Sequence, residues 1–469
     1  MNIPIPLSAA SAAGGAADAA SSFIRRGRLA RPAAALGAAV LAVAMSACGS
    51  TSSSGGSGSG GGTSAASGSS LTVADVAPFS GADAALGPTY LASCYGATSA
   101  INAAGGVLGH KLACKSVDTR GDPADAVPAV NQLFATTSSL ALVIGCTSDE
   151  AASVVPIING HKMAAFCMTG QSEFDHVHYP YFYRLVPPDL EESYAMVAIA
   201  QQLHYKRIAL AFGNDIGSQT FVQPAVSALQ KAGIALATNQ TLDLKATTFR
   251  TEAEAIIASH PDAIMTEALG SADPTLFSEI KQLNGGKIIP VIGTSAAISP
   301  AFFKSAAAAM GAAQFAANFH ADNLVVESSG PAYQAFSKAL LSQQGKVPGA
   351  TGNFTTYLSA PGGVHLYDGI NLAALAMLMS KSSSPATYGP DVLKIGDGVP
   401  GAQVCYSFAQ CASALKGGKT IRYEGPGGPT NFDSYHDSTG IFQVDTYSAA
   451  GQVNVVGNLT AAQLRALAG

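Results

Sequence analysis

Six short polar stretches, each following an apolar run, hold the side chains best suited to chemistry. The first three are "FSGADAALG" with Ser80, "CTSDE" with Thr147 and Ser148, and "MTGQSEF" with Thr169, Gly170, Gln171 and Ser172. The other three are "GNDIGSQ" with Asn214 and Asp215, "TEALGSAD" with Glu267 and Ser271, and "GTSAAIS" with Thr294 and Ser295. Hydroxyls at helix N-termini, as in the first group, cradle a carboxylate or another anion. Carboxylates in the second group, Asp215 and Glu267, accept a ligand's donor or ammonium. A small polar molecule with an acidic end and a donor end therefore suits a cleft between the two groups. Ser, Thr, Asn and Asp at such positions are also ordinary helix N-caps, so the argument rests on the pattern across six loops.

Signatures of catalysis are missing: no GxSxG elbow, HExxH helix or Walker loop occurs. The Gly tract at 55–62 precedes no helix-opening pattern. His176 and His178 in "FDHVHYP" have no evident third partner, so they read as an exposed loop pair rather than a metal centre. No cofactor is expected.

These loops are positioned by an alternation of short apolar runs with longer segments of helical period. "LTVADVAPF", "HKLACKSVD", "LALVIGC" and "KMAAFCM" read as strands. Between them lie the helices "GPTYLASCYGATSAINAAGG", "DPADAVPAVNQLFATT" and "DEAASVVPIING". The second of these opens with Asp122 as N-cap and Pro123 at the first helical position. The alternation restarts beyond "YFYRLVPPD", where Pro187-Pro188 stiffens the passage. The strands "RIALAFG", "IALATNQ", "DAIMTEA" and "IIPVIGT" then alternate with "ESYAMVAIAQQLHY", "SQTFVQPAVSALQKAG", "FRTEAEAIIASH" and "DPTLFSEIKQLNGG". Repeated strand–helix units imply parallel sheets covered by helices on both faces, in two domains of one architecture. Ligands of such sheets bind beyond the carboxyl ends of the strands, where these loops lie. The remaining residues show no third set, so the chain is expected to return to the first domain and cross once more.

The N-terminal region has its own logic. Arg25, Arg26, Arg28 and Arg31 precede the apolar run Pro32 to Ala47, which is shorter than the about 20 residues a spanning helix needs. A basic flank, a short apolar stretch and small residues before a break describe an export signal. Cys48 then stands before a Gly/Ser/Thr/Ala tract, Gly49 to Ser70, that behaves as a flexible coil. With 12% charged residues, a net charge of −5 and no basic cluster, the chain is not built for nucleic acid.

Six cysteines follow Cys48: Cys94, Cys114, Cys146, Cys167, Cys405 and Cys411. An even number in an exported chain without CxxC favours disulfides over metal ligation. Of the fifteen possible pairings, consecutive ones are preferred (94 with 114, 146 with 167, 405 with 411), since each closes a short segment between neighbouring elements.

Met45-Ser46-Ala47-Cys48 resembles the lipobox of bacterial lipoproteins, with Met45 where Leu is usual, which implies a lipid on Cys48. "INAAGGVLGHKL", "VDTRGDPADAVPAVNQL" and "FGNDIGSQ", with the late "YDGINLAALAML" and "YEGPGGPTNFD", resemble the branched-chain amino-acid-binding family of ABC-transporter solute-binding lipoproteins. The resemblance runs from about Leu71 to Val456. It implies an α/β fold of the type I periplasmic binding protein kind, with two Rossmann-like lobes joined by three crossover strands. The implied organisation is a signal peptide at 1–47 and a lipidated cysteine with linker at 48–70. Lobe 1 at 71–186, lobe 2 at 187–319, a return to lobe 1 at 320–420, and a final crossover and lobe 2 end at 421–469 complete it.

The resemblance implies capture of a small molecule, without chemical turnover, for the membrane permease and ATPase of an ABC importer. The solute expected is a branched-chain amino acid, an amide or a similar small organic acid. An extracellular sensor of the same fold, or an anchored hydrolase, are the alternatives. By position, Thr147 or Ser148 and the stretch Thr169 to Ser172 would grip a carboxylate. Lobe 2 departs from the family pattern, with Ile216 where a tyrosine is common and Ser295 where an acid often holds the ammonium. Either Glu267 or Asp215 takes over that duty, or the cargo is not an α-amino acid.

Overall fold

The computed structural model describes residues 69–468 except 269, 439 and 440. Cys48, the export-signal segment and most of the Gly/Ser tract lie outside the described residues.

Apolar runs such as Leu71–Ala77 bury both faces at once, as strands of a parallel sheet covered by helices on each side must. Five strands make the first sheet: β1 (Leu71–Ala77), β2 (Leu112–Asp118), β3 (Leu140–Gly145), β4 (Ala165–Cys167) and β5 (Phe182–Arg184). They lie in the order β2-β1-β3-β4-β5, all parallel. β5 comes from the segment read as a junction, and it forms the sheet's edge. Lobe 2 begins with β6 (Arg207–Gly213), β7 (Ala235–Leu242), β8 (Ala263–Glu267), β9 (Val291–Gly293) and β10 (Phe319–Leu324). After the return, β11 (Gln403–Cys405) and β12 (Ile421–Tyr423) pair with each other, and β13 (Phe442–Tyr447) and β14 (Val453–Leu459) close the chain. The second sheet runs β14-β13-β10-β9-β8-β6-β7, antiparallel only at β10–β13 and β13–β14.

Both fold-level expectations hold: two sheets covered by helices, and a chain that crosses between them three times. Two boundaries move. β10 belongs to the second sheet, so the return to lobe 1 begins after Leu324 rather than at residue 320. The return is anchored by the helix Pro361–Ser380, which is buried along most of its length in the lobe 1 core. β12 stays with β11, whose Cys405 packs in that same core, so the last crossing starts beyond Tyr423 rather than at 421. The three crossings are stitched laterally: Val325 N–H donates to Ile441 O at 2.9 Å, and Arg184 N–H to His436 O at 3.0 Å.

Arg184, with no exposed surface, fixes this junction. Its Nη1 meets Asp175 Oδ1 at 2.7 Å, its Nη2 donates to Gln171 O at 2.7 Å, and its Nε lies 3.4 Å from Asp437 Oδ1 in the third crossing. A charge so enclosed is tolerated because two carboxylates and a carbonyl surround the guanidinium, the Nε–Asp437 contact being an ion pair without a hydrogen bond. Arg184→Met should therefore cost about 3–5 kcal/mol in urea unfolding, since it leaves Asp175 and Asp437 uncompensated; a loss below about 1 kcal/mol would contradict the role given to this ion pair.

Cys94 is bonded to Cys114, tying the helix Gly87–Ala103 to β2, and Cys405 is bonded to Cys411. The expected 146–167 bond is not formed: both cysteines are buried free thiols. Short closure was not a sufficient criterion, because a disulfide needs the two Cα–Cβ vectors to converge. Cys146 lies one residue past Gly145, the register partner of Cys167, and the backbone turns there with φ of 44°. Burial and the neighbouring Cys146 thiol raise Cys167 above its ordinary value, so its thiol stays protonated, and burial shields both sulfurs from reagents while the chain is folded. A Cys48→Ala chain unfolded without reductant should titrate two thiols, and the same chain folded should titrate none; no thiol in the unfolded sample would restore the third disulfide.

Candidate functional site

The carboxyl ends of β1, β3, β4, β6, β8 and β9 converge on a cleft between the lobes. Of the sequence-predicted residues, Thr147, Ser148, Gly170, Asp215, Glu267 and Ser295 line it. Ser80, Thr169, Gln171, Ser172 and Asn214 do not. Ser80 is exposed and its hydroxyl donates to Asp118 Oδ2 at 2.5 Å. Asn214 is exposed and donates to Asp243 at 3.2 Å. Ser172 is exposed at the start of a short 3₁₀ turn, and Gln171 is buried with its carbonyl committed to Arg184. Thr169 stands just behind the wall, its hydroxyl 3.2 Å from that of Ser148. His176 and His178 lie away from the cleft, exposed beside the ring of Tyr435.

Local capping chemistry decides which of these groups are free. Thr147 caps the helix Ser148–Gly160 in a reciprocal box. Its N–H donates to Glu150 Oε1 at 2.8 Å and its hydroxyl to Glu150 Oε2 at 2.6 Å. Its donors are therefore spent inside the protein. Asp215 likewise caps the helix Ile216–Thr220 through Oδ1, which accepts from Ser218 N at 2.7 Å, but its Oδ2 has no donor. Gly170 is in the wall for want of a side chain: a Cβ there would sit 1.8 Å from Asp189 Oδ1.

The lobes touch directly. Asp149 Oδ1 of lobe 1 accepts from Gly217 N of lobe 2 at 2.9 Å, and a Cβ on Gly217 would come within 3.2 Å of the Ser148 Cβ. The cleft is thus seen drawn together, with its walls from both halves.

Sequence reasoning missed most of the acids. Asp83, Asp149, Asp189 and Glu192 line the cleft beside Asp215 and Glu267, and among the described residues no Lys, Arg or His lines it. The expected division, hydroxyls in lobe 1 and acids in lobe 2, gives way to carboxylates on both walls. Asp83 and Asp149 were within the loops quoted from the sequence, and Asp189 and Glu192 follow Pro187-Pro188 directly. None of them stands out there, because Asp149, Asp189 and Glu192 occupy first helical turns, an ordinary place for acids, and Asp83 a turn. Tyr90 and Phe221 supply apolar surface from helices that carry no site signal of their own.

Crowding and poor solvation act together on these groups. Burial, then contact with Asp149 and the charges of Asp215 and Glu150, push Asp83 up to about 9. Burial and the neighbouring Glu192 hold Asp189 at about 8, and burial raises Glu150 to about 7 against the two bonds from Thr147. Burial also raises Glu267, opposed by the Thr294 hydroxyl that donates to it.

Above about pH 4 the unfolded chain has lost these protons while the fold retains them, so stability declines as pH rises toward the folded values. His365, which burial lowers to about 4, opposes this only below its ordinary 6.5. Between pH 6.5 and 9 the ligand-free protein should therefore lose at least about 1.4 kcal/mol, the equivalent of one unit at one group. Urea midpoints unchanged or rising over that window would mean the acids are solvated.

The family described as periplasmic binding protein matches residues 70–367. Among solved structures, the chain is similar to the leucine-binding protein LivK of Thermotoga maritima, with a TM-score of 0.66 and 16% identity over 84% of this chain and 99% of that one. It is similar also to the branched-chain amino acid transporter substrate-binding protein LivJ of Streptococcus pneumoniae, solved with isoleucine (TM-score 0.64, 16% identity, 83% and 99% covered). A third similar structure is an ABC-transporter solute-binding protein of R. palustris solved with benzoate (TM-score 0.62, 16% identity, 83% and 96% covered). At these identities the likeness carries the fold. No curated protein sequence matches the chain.

Proposed function

The chain belongs to the periplasmic binding protein family, and from that premise we propose that it is the substrate-binding component of an ABC importer. A small solute is held between the lobes and handed to a membrane permease driven by its ATPase. Export by the segment 1–47 and a lipid on Cys48 would keep the protein at the outer side of the membrane, with 49–70 as its leash. Among the described residues no helix is long and apolar enough to cross a membrane.

The observation that carries the reading is a cleft whose lining comes from strand ends of both lobes and whose walls meet through the Asp149–Gly217 bond. A ligand touching both walls favours the closed arrangement by its differential affinity for it, which is what a capture-and-release protein requires. Ser148, Gly170, Asp215, Glu267 and Ser295 are the proposed contacts. The solutes named for similar structures, isoleucine and benzoate, are each one small molecule, in keeping with a cleft walled by both lobes.

A thermal-shift screen of the purified chain against amino acids, amides, small organic acids, nucleobases and organic amines should find a stabilising compound, since a ligand at 100 times its Kd adds about 2.7 kcal/mol. Ser148→Ala should weaken that compound by about 1–3 kcal/mol without lowering the ligand-free melting temperature. Failure of every class, together with an X-ray scattering profile unmoved by any of them, would remove the transport reading.

A further inference from the structure

The cleft's acids fall into two groups, each gathered on one turn. In one group Asp149 and Asp215, from opposite lobes, receive the successive N–H groups of Gly217 and Ser218, and Asp83 faces Asp149. In the other Glu192 Oε1 accepts from Ser295 N at 2.7 Å, and Glu267 Oε2 accepts from the hydroxyl of the adjacent Thr294. Asp322 stands behind Glu192, fully buried.

In the first group Oδ1 of Asp83, a residue only 3% exposed, and Oδ2 of Asp215 have no donor; the oxygens of Asp322 have none either, but Asp322 lies behind the cleft wall against Glu192. Buried carboxylate oxygens left bare are costly, and the cleft wall offers no protein cation to meet them. A carboxylate on the ligand would add a like charge to this surface, which disfavours α-amino acids and organic acids alike. A metal ion fits poorly, because among the described residues no three His, Cys, Asp or Glu side chains stand together as a ligand set. The same wall carries the rings of Tyr90 and Phe221, suited to methylenes and to the face of an ammonium.

We propose that the cleft takes a linear organic dication, a protonated diamine or polyamine, with one ammonium at the Asp83–Asp149–Asp215 group, the other at the Glu192–Glu267 group, and the methylene chain along Tyr90 and Phe221. The proposal rests on the cleft being the solute site, and it names the solute's class. The second ammonium is set against Glu192 and Glu267, the acids of the second group that line the cleft. A cation at each group also relieves the repulsion between the acids, so its binding draws the walls together.

Calorimetric titration of the full chain with spermidine, 1,4-diaminobutane, leucine, benzoate and Ca²⁺ tests this directly. Spermidine or diaminobutane should bind one per chain, with leucine, benzoate and Ca²⁺ silent. Asp215→Asn and Glu267→Gln, which keep shape and melt like the parent, should each weaken the amine roughly tenfold or more. Amine binding that survives both substitutions would be adsorption to the acidic surface and would overturn the assignment. Saturation by Ca²⁺ in competition with the amines would replace it with a metal site. Leucine or benzoate binding while both amines stay silent would overturn the dication but leave the binding-protein reading intact. Silence from both amines, with a different class found in the broad screen, would do the same.

Discussion

Two carboxylates 4 Å apart repel by about 4 kcal/mol when water screens them only partly. Six acidic residues line this one cleft, so their arrangement is governed by the donors that hold them apart. Those donors are loop N–H groups and hydroxyls: Gly217 N for Asp149, Ser218 N for Asp215, Ser295 N for Glu192, and the hydroxyls of Thr220 and Thr294 for Asp189 and Glu267. Parallel sheets deliver such donors at one edge, because each strand's carboxyl end runs into the start of a helix. The fold therefore supplies what the charges need, and the charges define what the fold can hold.

The closure proposed for this cleft needs a junction that stays put. The crossing segments are hydrogen-bonded side by side, and the only fully enclosed arginine of the described chain ties β5 to the third crossing through Asp437. Gly170 couples that junction to the cleft: its N-terminal neighbours lead from β4, its carbonyl receives Asp189 N at 2.7 Å, and its missing side chain leaves space for the Asp189 carboxyl. Rigid hinge and charged wall are thus joined through one residue without a Cβ.

The alternation of apolar runs and helical segments was plain in the sequence because each element satisfies its own pattern. "LALVIG" becomes β3, and Asp122 and Pro123 open the helix Pro123–Thr136 as their chemistry dictates. β5 escaped notice because three residues, Phe182–Arg184, are too few for a period to show. The 146–167 pair misled for a related reason: spacing says which cysteines are near along the chain, not how their side chains point on adjacent parallel strands. Asp83 and Asp149 lay inside the quoted loops without standing out, since nothing local distinguishes a capping carboxylate from one aimed into a cleft.

Residue order alone determined the element types, the two-lobe architecture, the strand ends as the place for a site, and the family resemblance, because hydrophobic period and turn residues act over a few positions. Which strand-end groups share a space was decided only by the tertiary structure. Thr147 is spent on Glu150, Ser80 on Asp118 and Asn214 on Asp243, whereas Asp83, Asp189 and Glu192 come together from distant parts of the chain. Charge in a cleft is a sum over neighbours in space, and that sum exists only once the two sheets have folded against a common hinge.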